Sequence, residues 1–224
     1  MDLKQRAKRM LLPAPGPQTV PVGMARGIRM QVDFGLQTRT FLGLYEVELN
    51  RYLRSMLVPG ATAFDIGVQY GYDALVIAKR TGARVAAFER DQRWIDSMTS
   101  NFALNPGLGS LITPVIGTVG DGPGEVGLDA WAYSAGFAPD FIKLDIDGGE
   151  LAALRSARRL LTEHRPSLIV ETHSLWLEQE CGRLLLDAGY TPVIVNQRRL
   201  WPDLRPTDHN RWLVAGGARN GAVT

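Results

Sequence analysis

Phe64-Asp65-Ile66-Gly67-Val68-Gln69-Tyr70-Gly71-Tyr72 stands where an apolar run meets an amphipathic one, and its residue types suit a nucleotide-like ligand. Gly67 permits a tight turn there, and Gly71 permits close approach of the following helix to the backbone. A dinucleotide turn wants G-x-G-x-x-G, with a helix amino terminus aimed at a pyrophosphate. Asp65 occupies the place of the first of those glycines. Its carboxylate would repel a pyrophosphate but would suit the ammonium and sulfonium end of S-adenosylmethionine. Roughly 20 residues further on, Glu89 closes the next apolar run, where an acid can bind both ribose hydroxyls. Arg90 follows it, and Gln69 lies within the turn itself. Thr118 and Val119, after a third apolar run, would border an adenine. The expected cofactor is therefore S-adenosylmethionine, held by Asp65, Gly67, Gln69, Gly71, Glu89, Arg90, Thr118 and Val119. The bland alternatives are helix capping by Asp65 and Glu89, and a plain loop in the glycine-rich stretch 117–124.

A second constellation lies in Lys143-Leu144-Asp145-Ile146-Asp147-Gly148-Gly149-Glu150 and in Val170-Glu171-Thr172-His173. Asp147 and Glu150 have the spacing of a capping box, which accounts for both without chemistry. Asp145 ends a strand, and Glu171 and His173 end the next. If those strands are neighbours, the three side chains converge beside the donor methyl. Methyl transfer to a hydroxyl needs an in-line approach, for which positioning supplies ~7–11 kcal/mol. It also needs removal of the hydroxyl proton, and a positioned base contributes ~10²–10⁴-fold. His173 is the expected base, polarised by Glu171, with Asp145 beside them. The same groups would suit a divalent metal cation, an option ranked second, so no metal ligand is assigned.

The elements that must position these residues can be read from periodicity. Tyr45, Leu49, Tyr52, Leu53 and Met56 predict a helix from Leu44 that ends before Pro59-Gly60. Strands are predicted at 61–65, 84–89, 111–116, 141–145, 167–171, 191–195 and 211–215. Helices are predicted at 72–81, 91–102, 149–161 and 175–188. Such alternation requires crossovers, hence an α/β fold: a mostly parallel seven-stranded sheet with helices on both faces. No helical period separates the last two strands, so the final one should run antiparallel. Residues 1–22 read as a basic, proline-rich arm unsuited to helix or ladder, either disordered or folded over the site as a lid. The domain should span 23–218, with a tail at 219–224.

The 224 residues suit one core, and a net charge of +2 gives no sign of nucleic acid. No Asn-Pro-Pro-Tyr or Asp-Pro-Pro-Tyr run is present to hold a flipped base. The one cysteine, Cys181, reads as a packing residue, and no stretch approaches the ~20 apolar residues of a membrane span. The reading is a cytoplasmic protein with a small-molecule substrate, no nucleic-acid or membrane partner, and an oligomeric state the sequence does not reveal. Arg198, Arg199 and Trp201 are candidate substrate contacts.

These motifs resemble those of FkbM-type methyltransferases, a branch of the class I, Rossmann-like, S-adenosylmethionine-dependent fold. The resemblance spans residues 26–216 and includes Gly43-Leu44-Tyr45-Glu46 and Ala87-Phe88-Glu89 besides the runs above. It implies O-methylation of a hydroxyl on a small natural product or sugar. Val68-Gln69 and Asp147 depart from the Ala-Asn and Glu usual in that family. Two other functions compete: a non-catalytic module that keeps the donor site, and a nicotinamide-dependent oxidoreductase.

Overall fold

The computed structural model describes residues 14–197 and 209–217. Seven strands form the central sheet: β3 (Ala63–Ile66), β4 (Val85–Glu89), β5 (Ile112–Ile116), β6 (Phe141–Leu144), β7 (Ser167–Thr172), β8 (Val193–Asn196) and β9 (Arg211–Ala215). Their order is β5-β4-β3-β6-β7-β9-β8. Pairing is parallel from β5 to β7, and β9 lies antiparallel between β7 and β8. Pro114 is accommodated because β5 is an edge strand, where a missing N–H costs no ladder bond.

Successive residues of a strand face opposite sides of the sheet, and each side has its own core. Ala63, Val85, Ala87, Phe141, Ile169 and Trp212 face one core, together with Leu75, Met98 and Phe102. Phe64, Ile66, Phe88, Leu144, Val170 and Leu213 face the other, against Leu128, Leu154, Leu177 and Leu185. Each large side chain so buried contributes ~1.5–3 kcal/mol. Cys181 is a buried free thiol in the second core, as a packing residue would be.

The helices that bear on the site start and stop for identifiable reasons. The helix Tyr72–Thr81 enters through Gly71 and leaves through Gly82, both in the left-handed region. Gln92–Ala103 is capped by the Asp91 side chain, which accepts from the Arg93 N–H, and Leu175–Asp187 by Ser174, which accepts from Leu177. The helix expected from Leu44 is a 3₁₀ turn, Val47–Leu49, followed by Asn50–Met56. Glu46 stands ahead of it at φ 43°, its side chain turned inward to Lys143. The helix expected over 149–161 covers Glu150–Arg155, breaks at Ser156-Ala157 and continues into a π-turn at Leu160–His164. Asp129 forces that restart by accepting from the N–H groups of Arg159 and Leu160. Short helices at Thr38–Phe41, Pro106–Gly109 and Leu128–Ala135 had no periodic signal.

One expectation fails outright. Gly16–Thr19 (β1) pairs antiparallel with Arg29–Val32 (β2), although the proline spacing predicts no ladder. Pro15, Pro17 and Pro21 sit in and around a two-stranded ribbon, where half the backbone groups need no partner. Val20, Ile28 and Met30 are buried in the first core and anchor the ribbon there. The basic start of the chain, the 219–224 tail and Arg198, Arg199 and Trp201 lie outside the described residues.

Candidate active site

The carboxyl ends of β3, β4, β5 and β6 open onto a cavity of about 520 Å³. Gly67, Gln69, Glu89, Arg90, Thr118, Val119 and Asp145 all line it. Glu89 is nearly buried, and three backbone N–H groups fix its carboxylate: Gln69 donates to Oε2 at 2.9 Å, and Arg90 and Asp91 donate to Oε1 at 2.8 and 2.9 Å. An ionised carboxylate offers about four acceptor sites, so one remains, on Oε2, for a ligand hydroxyl. Gln69 reaches Glu89 because it adopts φ 50°, which bends the turn back over the strand end. Gly67 meets a separate constraint. At φ +87° a Cβ there would lie 1.7 Å from the Asp145 carbonyl oxygen, so only glycine lets β3 and β6 close together. Gly71 does not line the cavity; its missing side chain makes room for Phe102.

At the other end of the cavity the acids gather. His173 Nδ1 pairs with Glu150 Oε1 at 2.7 Å, and Nε2 lies 3.1 Å from Asp147, 3.5 Å from Asp145 and 3.7 Å from Glu171. Asp145 and Asp147 line the cavity, while Glu171 and His173 stand behind them. Burial alone would lower the imidazole pKa, but the Glu150 hydrogen bond and the charges of Asp145 and Glu171 outweigh it and push His173 up to about 9. A ring that keeps its proton at neutral pH has no lone pair for a general base. The base role expected of His173 therefore does not follow from this geometry.

Two further expectations change. Glu150 is not half of a capping box, because Gly149 is the N-cap and no side-chain cap bond forms. The Glu150 carboxylate accepts from the Gly148 N–H and holds His173 instead. Asp65 does not line the cavity. It accepts from the Ala74 backbone and faces the other side of the sheet, beside Lys143, Asp73 and Asp145. Burial first, then the Asp73 charge, push it up to about 8, so it is mostly a neutral acid near pH 7. Asparagine mimics that form. Asp65→Asn is expected to leave S-adenosylhomocysteine affinity within about twofold in a calorimetric titration, whereas a tenfold loss would restore Asp65 as a donor contact.

Sequence reasoning missed the network around Lys143. Its ammonium, buried on β6, lies 3.0 Å from Asp73, 3.5 Å from Glu46 and 3.9 Å from Asp145. A lysine inside an apolar strand was the available signal, since buried lysines are nearly always paired. Trp94, Arg93 and Ile146 also line the cavity without having been singled out.

The sequence profile of the FkbM methyltransferase domain matches residues 128–213, from the helix before β6 to the last strand. That stretch holds Asp145, Glu150, Glu171 and His173; the Glu89 end of the cavity lies outside it. No curated protein sequence matches the chain. Among solved structures it is similar to an FkbM methyltransferase from Methylobacillus flagellatus, with TM-score 0.58 and 24% identity over 69% of this chain and 43% of that one. It is also similar to a precorrin-6Y C5,15-methyltransferase from Geobacter metallireducens, with TM-score 0.53 and 16% identity over 77% and 88% of the two chains. Aeropyrum pernix fibrillarin, solved with S-adenosyl-L-methionine bound, matches with TM-score 0.51 and 16% identity over 71% and 68%. The chain thus spans less than half the length of the FkbM structure. Among the described residues no helix is long and apolar enough to cross a membrane. The chain has the class I methyltransferase fold, and its residues 128–213 are similar to the FkbM methyltransferase domain.

Proposed function

We propose that this chain is an S-adenosylmethionine-dependent O-methyltransferase acting on a hydroxyl of a small molecule, a natural product or a sugar. The supporting observation is one cavity that joins the pinned Glu89 carboxylate to the acidic edge headed by Asp145. The donor lies along it, with ribose at Glu89, adenine against Thr118 and Val119, and the methionine end between Gly67 and Asp145. The acceptor hydroxyl enters at the acidic edge. Its oxygen takes the methyl as the sulfur–methyl bond breaks, S-adenosylhomocysteine departs, and the hydroxyl proton is taken up at that edge. Residues behind the cavity act by holding the acids in place, since positioning is worth more here than any single proton transfer. We place the protein in the cytoplasm, where a buried free thiol such as Cys181 stays reduced.

Calorimetric titration with S-adenosylhomocysteine, NADH and NADPH tests the reading. Only the first should bind. Glu89→Gln exchanges an acceptor for a donor beside three N–H groups, and should weaken that binding by about 1–3 kcal/mol, roughly 5- to 150-fold. Unchanged affinity in this variant, or binding of a nicotinamide cofactor alone, would remove the donor site from the cavity.

A further inference from the structure

The geometry points to a divalent-cation site formed by Asp145 Oδ1, Glu171 Oε1 and His173 Nε2, with its open side toward the cavity. One ligand atom from each residue lies within 4.8 Å of the others, and Nε2 stands 3.5 Å from Asp145 and 3.7 Å from Glu171. Bonds of about 2.0–2.3 Å to a shared ion place ligand atoms roughly 3–4 Å apart, so the spacing needs little adjustment. A group of acids is not a site by itself. The independent observation is His173 Nε2: the side chain is only 8% exposed, and this atom has no hydrogen-bond partner among the described residues. Three carboxylates surround it within ion-pair distance, yet none of their oxygens is placed to form a bond with it.

The outer atom of each ligand is held from behind. His173 Nδ1 pairs with the fully buried Glu150 at 2.7 Å, so a cation that displaces the Nε2 proton to solvent meets the freed lone pair aimed at the site. Trp212 Nε1 donates to Glu171 Oε2 at 3.3 Å, and Oε1 is the oxygen that faces the histidine. Lys143 stands 3.9 Å from Asp145 Oδ2, again leaving Oδ1 on the histidine side. A carboxylate–histidine pair behind a nitrogen ligand is the usual support of a bound metal. Asp147 is 77% exposed and lies 3.1 Å from Nε2, within reach as a fourth ligand. One imidazole with two carboxylates suits a first-row ion such as Mn²⁺ better than Ca²⁺. This reverses the ranking drawn from sequence, which could not show that each ligand has its own support. Resting on the proposed methyl transfer, such an ion would bind the acceptor hydroxyl and lower its pKa.

The test is Mn²⁺ binding to the chelator-stripped full chain, followed by calorimetry and by the paramagnetic resonance of free Mn²⁺. We expect one ion per chain with a dissociation constant in the micromolar range. Glu171→Gln should weaken it at least 100-fold, and Glu150→Gln about 10- to 100-fold. S-adenosylhomocysteine affinity is measured on each variant and should be retained, which shows that the donor half is folded. Asp147→Asn alters an exposed side chain and should weaken Mn²⁺ about 2- to 10-fold should the buried variants not fold. No saturable binding below millimolar Mn²⁺, or equal binding by wild type and Glu171→Gln, would overturn the site and leave a proton as the group that balances these acids. Mn²⁺ binding without S-adenosylhomocysteine binding would keep the site and refute the methyltransferase reading.

Discussion

Lys143→Met is expected to lower stability by about 3–5 kcal/mol, the usual cost of removing one partner from a buried ion pair. The lysine is 3% exposed and central to Asp73, Glu46 and Asp145. Burial alone would pull its pKa down, but the surrounding acids hold it well above the ordinary value, so it stays charged. Methionine keeps the volume and removes the charge. For chains of this size each kcal/mol is worth about 2–4 °C, so melting should fall by roughly 6–20 °C. The loss should depend on pH. Burial raises Glu46 well above 4.5, and Lys143 opposes that rise. Without the lysine the folded-state pKa of Glu46 rises further. An acid raised in the folded state contributes stability that is full below its unfolded pKa and disappears as pH climbs through the folded one. The variant should therefore be closer to wild type at pH 5 than at pH 8. A deficit under 1 kcal/mol at both, measured by urea unfolding, would mean that water reaches this cluster.

Gly67→Ala is the second large effect. The new methyl would meet the backbone carbonyl of Asp145 at 1.7 Å, and no side-chain rotation relieves a clash with backbone. Left-handed backbone costs a non-glycine residue about 1–2 kcal/mol, and forcing packed strands apart about 1–3 more. Gly60→Ala supplies the control, with φ +81° and nothing within 4 Å of the added atom. It should lose only the backbone share. Gly67→Ala should also abolish measurable S-adenosylhomocysteine binding, because the turn and Asp145 border the same cavity. Equal melting temperatures for the two variants would show that β3 and β6 can separate freely.

The sheet was legible because its strands are short apolar runs that alternate with amphipathic ones, the pattern of a parallel α/β sheet. Glu89 was legible as an acid closing a strand, about 20 residues after the first turn. Asp65 stands away from the cavity for a reason rooted in pleating. It shares the side of Ala63, while the cavity opens at Ile66 and Phe88, on the other side. A strand's residue types do not say which side will hold the cavity. Asp145, Glu171 and His173 could be grouped from strand ends alone, but Glu150 could not. Its helical spacing fitted a cap equally well, and only the tertiary contact with His173 separates the two roles. The β1–β2 ribbon escaped notice because its register comes from the core beneath it rather than from alternation.

That ribbon is fastened in an unusual way. Asn105 accepts from the Arg29 N–H and donates to the Arg29 carbonyl, so its amide serves β2 as a neighbouring strand would. Asn101 accepts from the Gln31 N–H and donates to the carbonyl of Tyr70, in the turn that carries Gln69. One buried amide thus splints the amino-terminal ribbon to the turn after β3. Neither can fray without breaking a bond of the other, so the two should open as one cooperative unit and protect their amides from exchange together.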